Sequence, residues 1–175
     1  MAASNFEKCL PLVLAHEGGY IDHSQDPGGA TNRGVTKKAW EEYVGHEVTK
    51  DDIKALTVED VTPFYRKRYW DACKCDDLHA GVDYAVFDLA VNSGTGRAAK
   101  FLQEAVGATP DGRIGPRTLS AANSFGPNLI IGRIYDRRES FLRSLPHFPT
   151  FGRGWLKRNN EVHRKALEMA AQVVR

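Results

Sequence analysis

Two stretches decide how this chain is read: Ala15-His16-Glu17-Gly18-Gly19-Tyr20, and Asp26-Pro27-Gly28-Gly29-Ala30-Thr31-Asn32-Arg33-Gly34-Val35-Thr36. Upstream, residues 6–15 put Phe6, Leu10 and Val13 or Leu14 on one helical face, with Ser4 or Asn5 as N-cap. Pro11 is the defect in that helix, either kinking it or marking its start. Gly18-Gly19 closes it, so Glu17 is expected at its C-terminal end. That end faces the negative pole of the helix dipole and gives a carboxylate no support, so the placement asks for a reason. Residues 20–34 then hold Pro27, Gly28, Gly29 and Gly34 with Ser24, Asp26 and Asn32, and read as a loop or small hairpin.

Outward from there the pattern turns helical. Residues 37–44 follow Thr36, and Thr49-x-x-Asp52 and Thr57-x-x-Asp60 are capping-box starts. The second opens a helix over residues 58–70, with Val61, Phe64, Tyr65 and Tyr69 at helical spacing. Residues 81–92 carry an apolar stripe of Val82, Ala85, Val86, Leu89 and Ala90. Gly94-Thr95-Gly96 interrupts, residues 97–106 resume, and Asp111-Gly112 is a turn. Gly115-Pro116 starts another helix with proline in its first position, and residues 128–145 and 154–174 supply the last two. The expectation is a mostly α chain with one loop-and-hairpin insertion near its start.

Composition agrees with an ordinary globular protein: 175 residues, 42% hydrophobic, 26% charged and 10% aromatic. That length suits a single domain over residues 1–175, with residues 1–75 as an N-terminal part and 76–175 as a helical part. No run of some 20 apolar residues predicts a membrane span. Glu7 and Lys8 interrupt any secretory core, which predicts synthesis in a cytoplasm without a signal peptide. Cys9, Cys73 and Cys75 are odd in number and lack metal or redox spacing, so reduced thiols are expected. Net charge is only +2, yet residues 131–175 hold ten Lys/Arg against four acids. That +6 sits opposite −4 in the rest, and could face an anionic polymer or simply solvent.

The chemistry gathers around Glu17. A second carboxylate, Asp26, returns on the glycine-rich turn with Thr31 and Asn32. Glycosidic cleavage needs such a set: an acid for the leaving oxygen, and a carboxylate that activates water or stabilises an oxocarbenium-like state. The two quoted stretches resemble glycoside hydrolase family 108, N-acetylmuramidases of phage endolysins and bacterial secretion-activator proteins. Asp88-x-x-Val91-Asn92-Ser93-Gly94 and Phe101-Leu102-Gln103 are similar to the family's second stretch. Asp111-Gly112-Arg113-Ile114-Gly115-Pro116-x-Thr118-Leu119 resembles its peptidoglycan-binding region. The chain is also similar to phage lysozymes, whose active site runs Glu, eight residues, Asp, five residues, Thr. Glu17-x8-Asp26 fits; the last place holds Asn32, with Thr31 one residue early.

The resemblance implies a mostly α, lysozyme-like fold: a small N-terminal lobe with the hairpin, a helical C-terminal lobe, and a cleft between them. It implies hydrolysis of the β-1,4 bond between N-acetylmuramic acid and N-acetylglucosamine, without cofactor or metal. Glu17 would be the acid, with Asp26, Thr31 and Asn32 completing the catalytic set. Tyr20, Asn92, Ser93, Trp155 and Arg158 are candidate substrate contacts. The expected partner is peptidoglycan on the periplasmic side, reached through a holin-type pore, by a monomer that binds no nucleic acid and does not insert in membranes. Each residue also has a plainer reading: Asp26 as an Asx-turn residue, Tyr20 and Trp155 as packing, Asn92 and Ser93 as a helix end. Two other functions compete, a lytic transglycosylase and a wall-binding protein without turnover. His16-Glu17 is not a zinc helix, because Tyr20 stands where the second histidine belongs.

Overall fold

The computed structural model describes residues 4–22 and 29–173. The chain divides into two compact units, residues 7–68 and residues 69–175 together with the N-terminal segment through Phe6.

In the unit of residues 7–68, α1 (Phe6–Leu14) continues through Pro11, which is exposed, while Cys9, Leu10 and Val13 are buried. The helix is already closing before Gly18-Gly19: His16 N–H donates to the Val13 carbonyl and Glu17 N–H to that of Leu14, a tightened last turn. The expected hairpin is present as β1 (Ile21–Asp22) and β2 (Ala30–Asn32), and β3 (Val35–Thr36) adds a third antiparallel strand in the order β1-β2-β3. The sequence gives no sign of β3 ahead of the helix, because a two-residue strand is too short to show alternation. Thr36 serves both elements: its hydroxyl accepts from Ala39 N–H and caps α2 (Lys37–Val44).

Both capping boxes form. Thr49 and Asp52 open α3 (Lys50–Lys54), and Thr57 and Asp60 open α4 (Val58–Tyr65). The helix expected through residue 70 changes character after Tyr65, passing into a π-helical turn over Arg66–Asp71. Tyr65 and Trp70 are both fully buried. Five residues apart, they would point about 140° from one another on an α-helix, whereas the wider π turn brings residues at that spacing closer to one face.

The other unit is built around α5 (Val82–Ser93), whose residues 82–90 are all buried. It packs against α6 (Thr95–Val106), α8 (Pro127–Ser144) and α9 (Phe148–Val173), with α7 (Pro116–Ser124) against α6. Pro116 and Pro127 each stand in a first helical turn, where the missing N–H would have had no partner anyway. Ile130, Ile131, Ile134, Leu102, Val162 and Ala166 fill the core with α5. Phe6, Trp70 and Phe87 form an edge-to-face trio with centroids 5.3–5.7 Å apart, which ties the N-terminal segment to this unit. Cys9, Cys73 and Cys75 are buried thiols, not disulfides, and burial pushes the Cys73 thiol up to about 12.

A helix buried on every side makes its two acids conspicuous. Asp83 accepts from Asn5, Gly81 N–H and Tyr84 N–H, yet burial outweighs these bonds and raises its carboxyl to about 6. A raised carboxyl favours the protonated native state, so its stabilising share is full below 3.8 and disappears as pH rises through 6. Urea midpoints measured between pH 4 and 7 should therefore show a fall that Asp83→Asn flattens. An unchanged slope in the variant would place the titration in another group.

Candidate active site

Glu17 lies three residues beyond α1, half-buried, where the tightened turn delivers it to the β2–β3 hairpin. That hairpin has a two-residue turn, Arg33-Gly34, between the paired Asn32 and Val35. Both turn residues have positive φ, 51° at Arg33 and 77° at Gly34, as a type I′ turn requires. For arginine the left-handed conformation costs about 1–2 kcal/mol. The Arg33 Nε–H bond to the Leu56 carbonyl (3.0 Å) helps hold it there. The turn is clamped from the other side as well: the buried Tyr65 hydroxyl donates to the Arg33 carbonyl at 2.6 Å.

The lack of a side chain at Gly34 is what lets Glu17 in. A Cβ built there would stand 2.9 Å from Glu17 Cγ, 3.0 Å from Glu17 Oε2 and 2.4 Å from Tyr65 Oη. So the carboxylate, the turn backbone and the Tyr65 hydroxyl converge on one Cα. Gly34→Ala should cost about 1–3 kcal/mol from φ strain and clash. It should also lower turnover by roughly 100-fold if Glu17 is pushed aside by as much as 1 Å. Melting temperature and kcat measured together test this; a loss of stability with normal turnover would mean that Glu17 need not sit against the turn.

The other expected catalytic residues meet different fates. Asn32 is buried, and its Nδ2 fans over the carbonyls of Ile53 (3.0 Å), Lys54 (3.2 Å) and Leu56 (3.4 Å). Its amide nitrogen therefore fastens β2 to the C-terminal end of α3, and only its oxygen is left unused by those bonds. Thr31 is half-buried on the opposite face of β2, as strand alternation dictates. Asp26 lies outside the described residues. Tyr20 is half-buried, with the Lys54 ammonium 5.7 Å from its ring centroid.

The remaining substrate candidates belong to the other unit. Asp88, fully buried on α5, receives Arg138 on Oδ2 (2.8 Å) and Arg158 on Oδ1 (2.9 Å). Burial alone would raise the Asp88 carboxyl, but the two guanidinium groups hold it below the usual carboxylate range. Arg158, 13% exposed, is thereby engaged by an internal ion pair. Arg138 also reaches the exposed Asn92 at 3.4 Å, and Ser93 donates to the same Asn92 oxygen at 3.2 Å. The end of α5 thus carries Asn92 and Ser93 on a charged foundation that is not visible in the sequence, because nothing in the spacing of Arg138 announces a buried partner fifty residues back.

Trp155 is half-buried on α9 and stacks with Phe151 at 5.9 Å. The stretch around Asp111 proves to be a hydrogen-bond hub. Buried Gln103 bonds Asp111 Oδ1, the Arg113 carbonyl and Thr118 Oγ1 through Nε2, while its oxygen accepts from Gly112 N–H. Phe101-Leu102-Gln103 and the stretch around Asp111 are therefore one structural feature, joined across α6 and the turn before α7. Among the described residues no three His, Cys, Asp or Glu side chains converge in a way that could hold a metal ion.

With this geometry in hand, similarity to known proteins is informative. Glycosyl hydrolase 108 matches residues 10–94, a range that takes in Glu17, the hairpin and all of α5. A predicted peptidoglycan domain matches residues 97–160, from α6 into α9. The solved structure of Brucella abortus SagA is 44% identical, covers 95% of both chains and superposes with a TM-score of 0.86. No curated protein matches.

Proposed function

Because the chain belongs to glycosyl hydrolase family 108, with a lysozyme-like, mostly α fold, it is a glycoside hydrolase of peptidoglycan, and we propose that it is a muramidase acting as a phage endolysin. Its bond is then the β-1,4 link between N-acetylmuramic acid and N-acetylglucosamine. Glu17 gives its proton to the leaving glycosidic oxygen, and Asp26 orients the attacking water, helped by Thr31 or by the oxygen of Asn32. Tyr20, Asn92 and Ser93 are offered as sugar contacts. Arg158 acts one step back, through Asp88 and the end of α5.

The observation that carries this reading is the seating of the Glu17 carboxylate against Gly34, on a turn clamped by Tyr65 and Arg33. A rigid backbone surround fixes the acid relative to the bond it protonates, and fixed geometry is where much of a catalyst's effect originates. The test is mass spectrometry of the muropeptides released from purified sacculi. Reducing N-acetylmuramic ends mark a muramidase. Anhydro ends, lighter by one water, would make it a transglycosylase, and no release would leave a binding protein. The endolysin role is tested separately, by whether co-expression with a pore-forming protein is required for lysis.

A further inference from the structure

The core-facing stripe of α9 outruns its partners. Asn159, Val162, Ala166 and Ala170 are buried at helical spacing. Continued toward the N-terminus, the same face passes through Trp155, Gly152 and Phe148. Only Gly152 is buried there, under the Phe148 ring, where a Cβ would meet ring carbons at 2.5–2.8 Å. Phe148 and Trp155 are half-buried, and Phe151 beside them is 55% exposed. The first two turns of α9 therefore present three aromatic rings, with Trp155 touching Phe151 at 5.9 Å and Phe148 at 6.5 Å between centroids.

Cations outnumber acids around them. Residues 140–160 contain Arg143, Arg153, Lys157 and Arg158 and no acid, with Glu139 and Glu161 flanking the stretch. Arg143 is shared with Glu139 and Arg158 with Asp88. Arg153 and Lys157 are exposed, with Glu161 one helical turn beyond Lys157. Exposed aromatics on one side of a helix and cations on the other are what a helix needs to lie in a lipid headgroup layer.

We propose that the first two turns of α9 are a docking surface for an anionic lipid bilayer, with Phe151 and Trp155 wedged between headgroups and Arg153 and Lys157 against lipid phosphates. A glycan is the poorer fit. Phe151 and Trp155 turn their faces partly toward each other, 29° from parallel, and so offer edges more than a platform. Sugar hydroxyls call for planar acceptors, yet the segment has no acid, Asn159 is buried and donates to the Tyr135 carbonyl, and the Asn160 oxygen already accepts from the Tyr135 hydroxyl. A second copy fits poorly too, since three rings cover a few hundred Å2 at most, against the roughly 800 Å2 per partner of a stable interface.

The test is co-sedimentation of the intact protein with vesicles of phosphatidylcholine, alone or mixed with phosphatidylglycerol, and with purified sacculi. Binding to the anionic vesicles should exceed binding to the neutral ones by at least about tenfold, given two exposed cations, and should weaken with salt. It should be lost in Phe151→Ser and, separately, in Arg153→Glu/Lys157→Glu, whose circular dichroism and melting temperatures should match the parent because all three residues are exposed. Equal partitioning into both vesicles would overturn the proposal, as would anionic binding that survives both variants. Sacculus binding lost in both variants, without vesicle binding in the parent, would assign these turns to the wall. A dimer abolished by Phe151→Ser would assign them to a second copy.

Discussion

Glu17→Gln is expected to lower kcat on purified sacculi by at least about 100-fold, the order lost when a positioned acid is removed. The amide has the same shape, so the Arg33-Gly34 turn can keep its geometry and the melting temperature should stay near that of the parent. The experiment separates chemistry from architecture: Gly34→Ala disturbs both, Glu17→Gln only the first. Retention of more than about a tenth of the activity would remove Glu17 from the mechanism. Asp26→Asn belongs in the same assay. Asparagine forms Asx-turns as well as aspartate does, so a near-normal rate would make Asp26 a turn residue and favour chemistry with a single carboxylate.

The second large effect is on stability. Asp88→Ala leaves Arg138, 2% exposed, and Arg158, 13% exposed, without their shared counter-charge. Breaking a buried pair from one side costs about 3–5 kcal/mol, a large part of the 5–15 kcal/mol that holds a typical domain. Urea unfolding should show this directly. The double change Asp88→Leu/Arg138→Met should recover part of the loss, because a buried Nε of Arg138 already lacks a hydrogen bond and would go with it. A mild effect of Asp88→Ala would mean that water reaches the pair. Asp88 and Asp83 also pull stability in opposite directions with pH. The depressed Asp88 contributes above 3.8 and fades as pH falls further, whereas the raised Asp83 contributes below 3.8 and fades toward 6.

Much of this was legible in the residues because the signals are local. Thr49-x-x-Asp52, Thr57-x-x-Asp60 and Gly115-Pro116 each fix a helix start within four residues, and each helix starts there. Glu17 was legible for the same reason, as an acid stranded past an apolar helix. What stayed hidden depends on distant partners. Nothing local marks Tyr65 as the clamp on Arg33, thirty-two residues away, or Arg138 as the partner of Asp88. Asn32 shows the converse. Its spacing from Asp26 points to chemistry, while the end of α3 and Leu56 beyond it supply three carbonyls to its nitrogen, an anchor that no local signal announces. The π turn after Tyr65 was invisible because an apolar pattern alone does not distinguish five-residue from four-residue spacing over one turn.

The three sulfur atoms carry a last consequence. None closes a bridge, and each lies at 1% exposure or less, with Cys73 so reluctant to ionise that little nucleophile exists at neutral pH. The architecture therefore has no stake in electron potential: moving from a glutathione-rich solution to an aerobic one neither adds a crosslink nor removes one. An alkylating reagent or an oxidant must wait for the protein to breathe open. The pace at which such a reagent consumes the thiols would measure how often that happens.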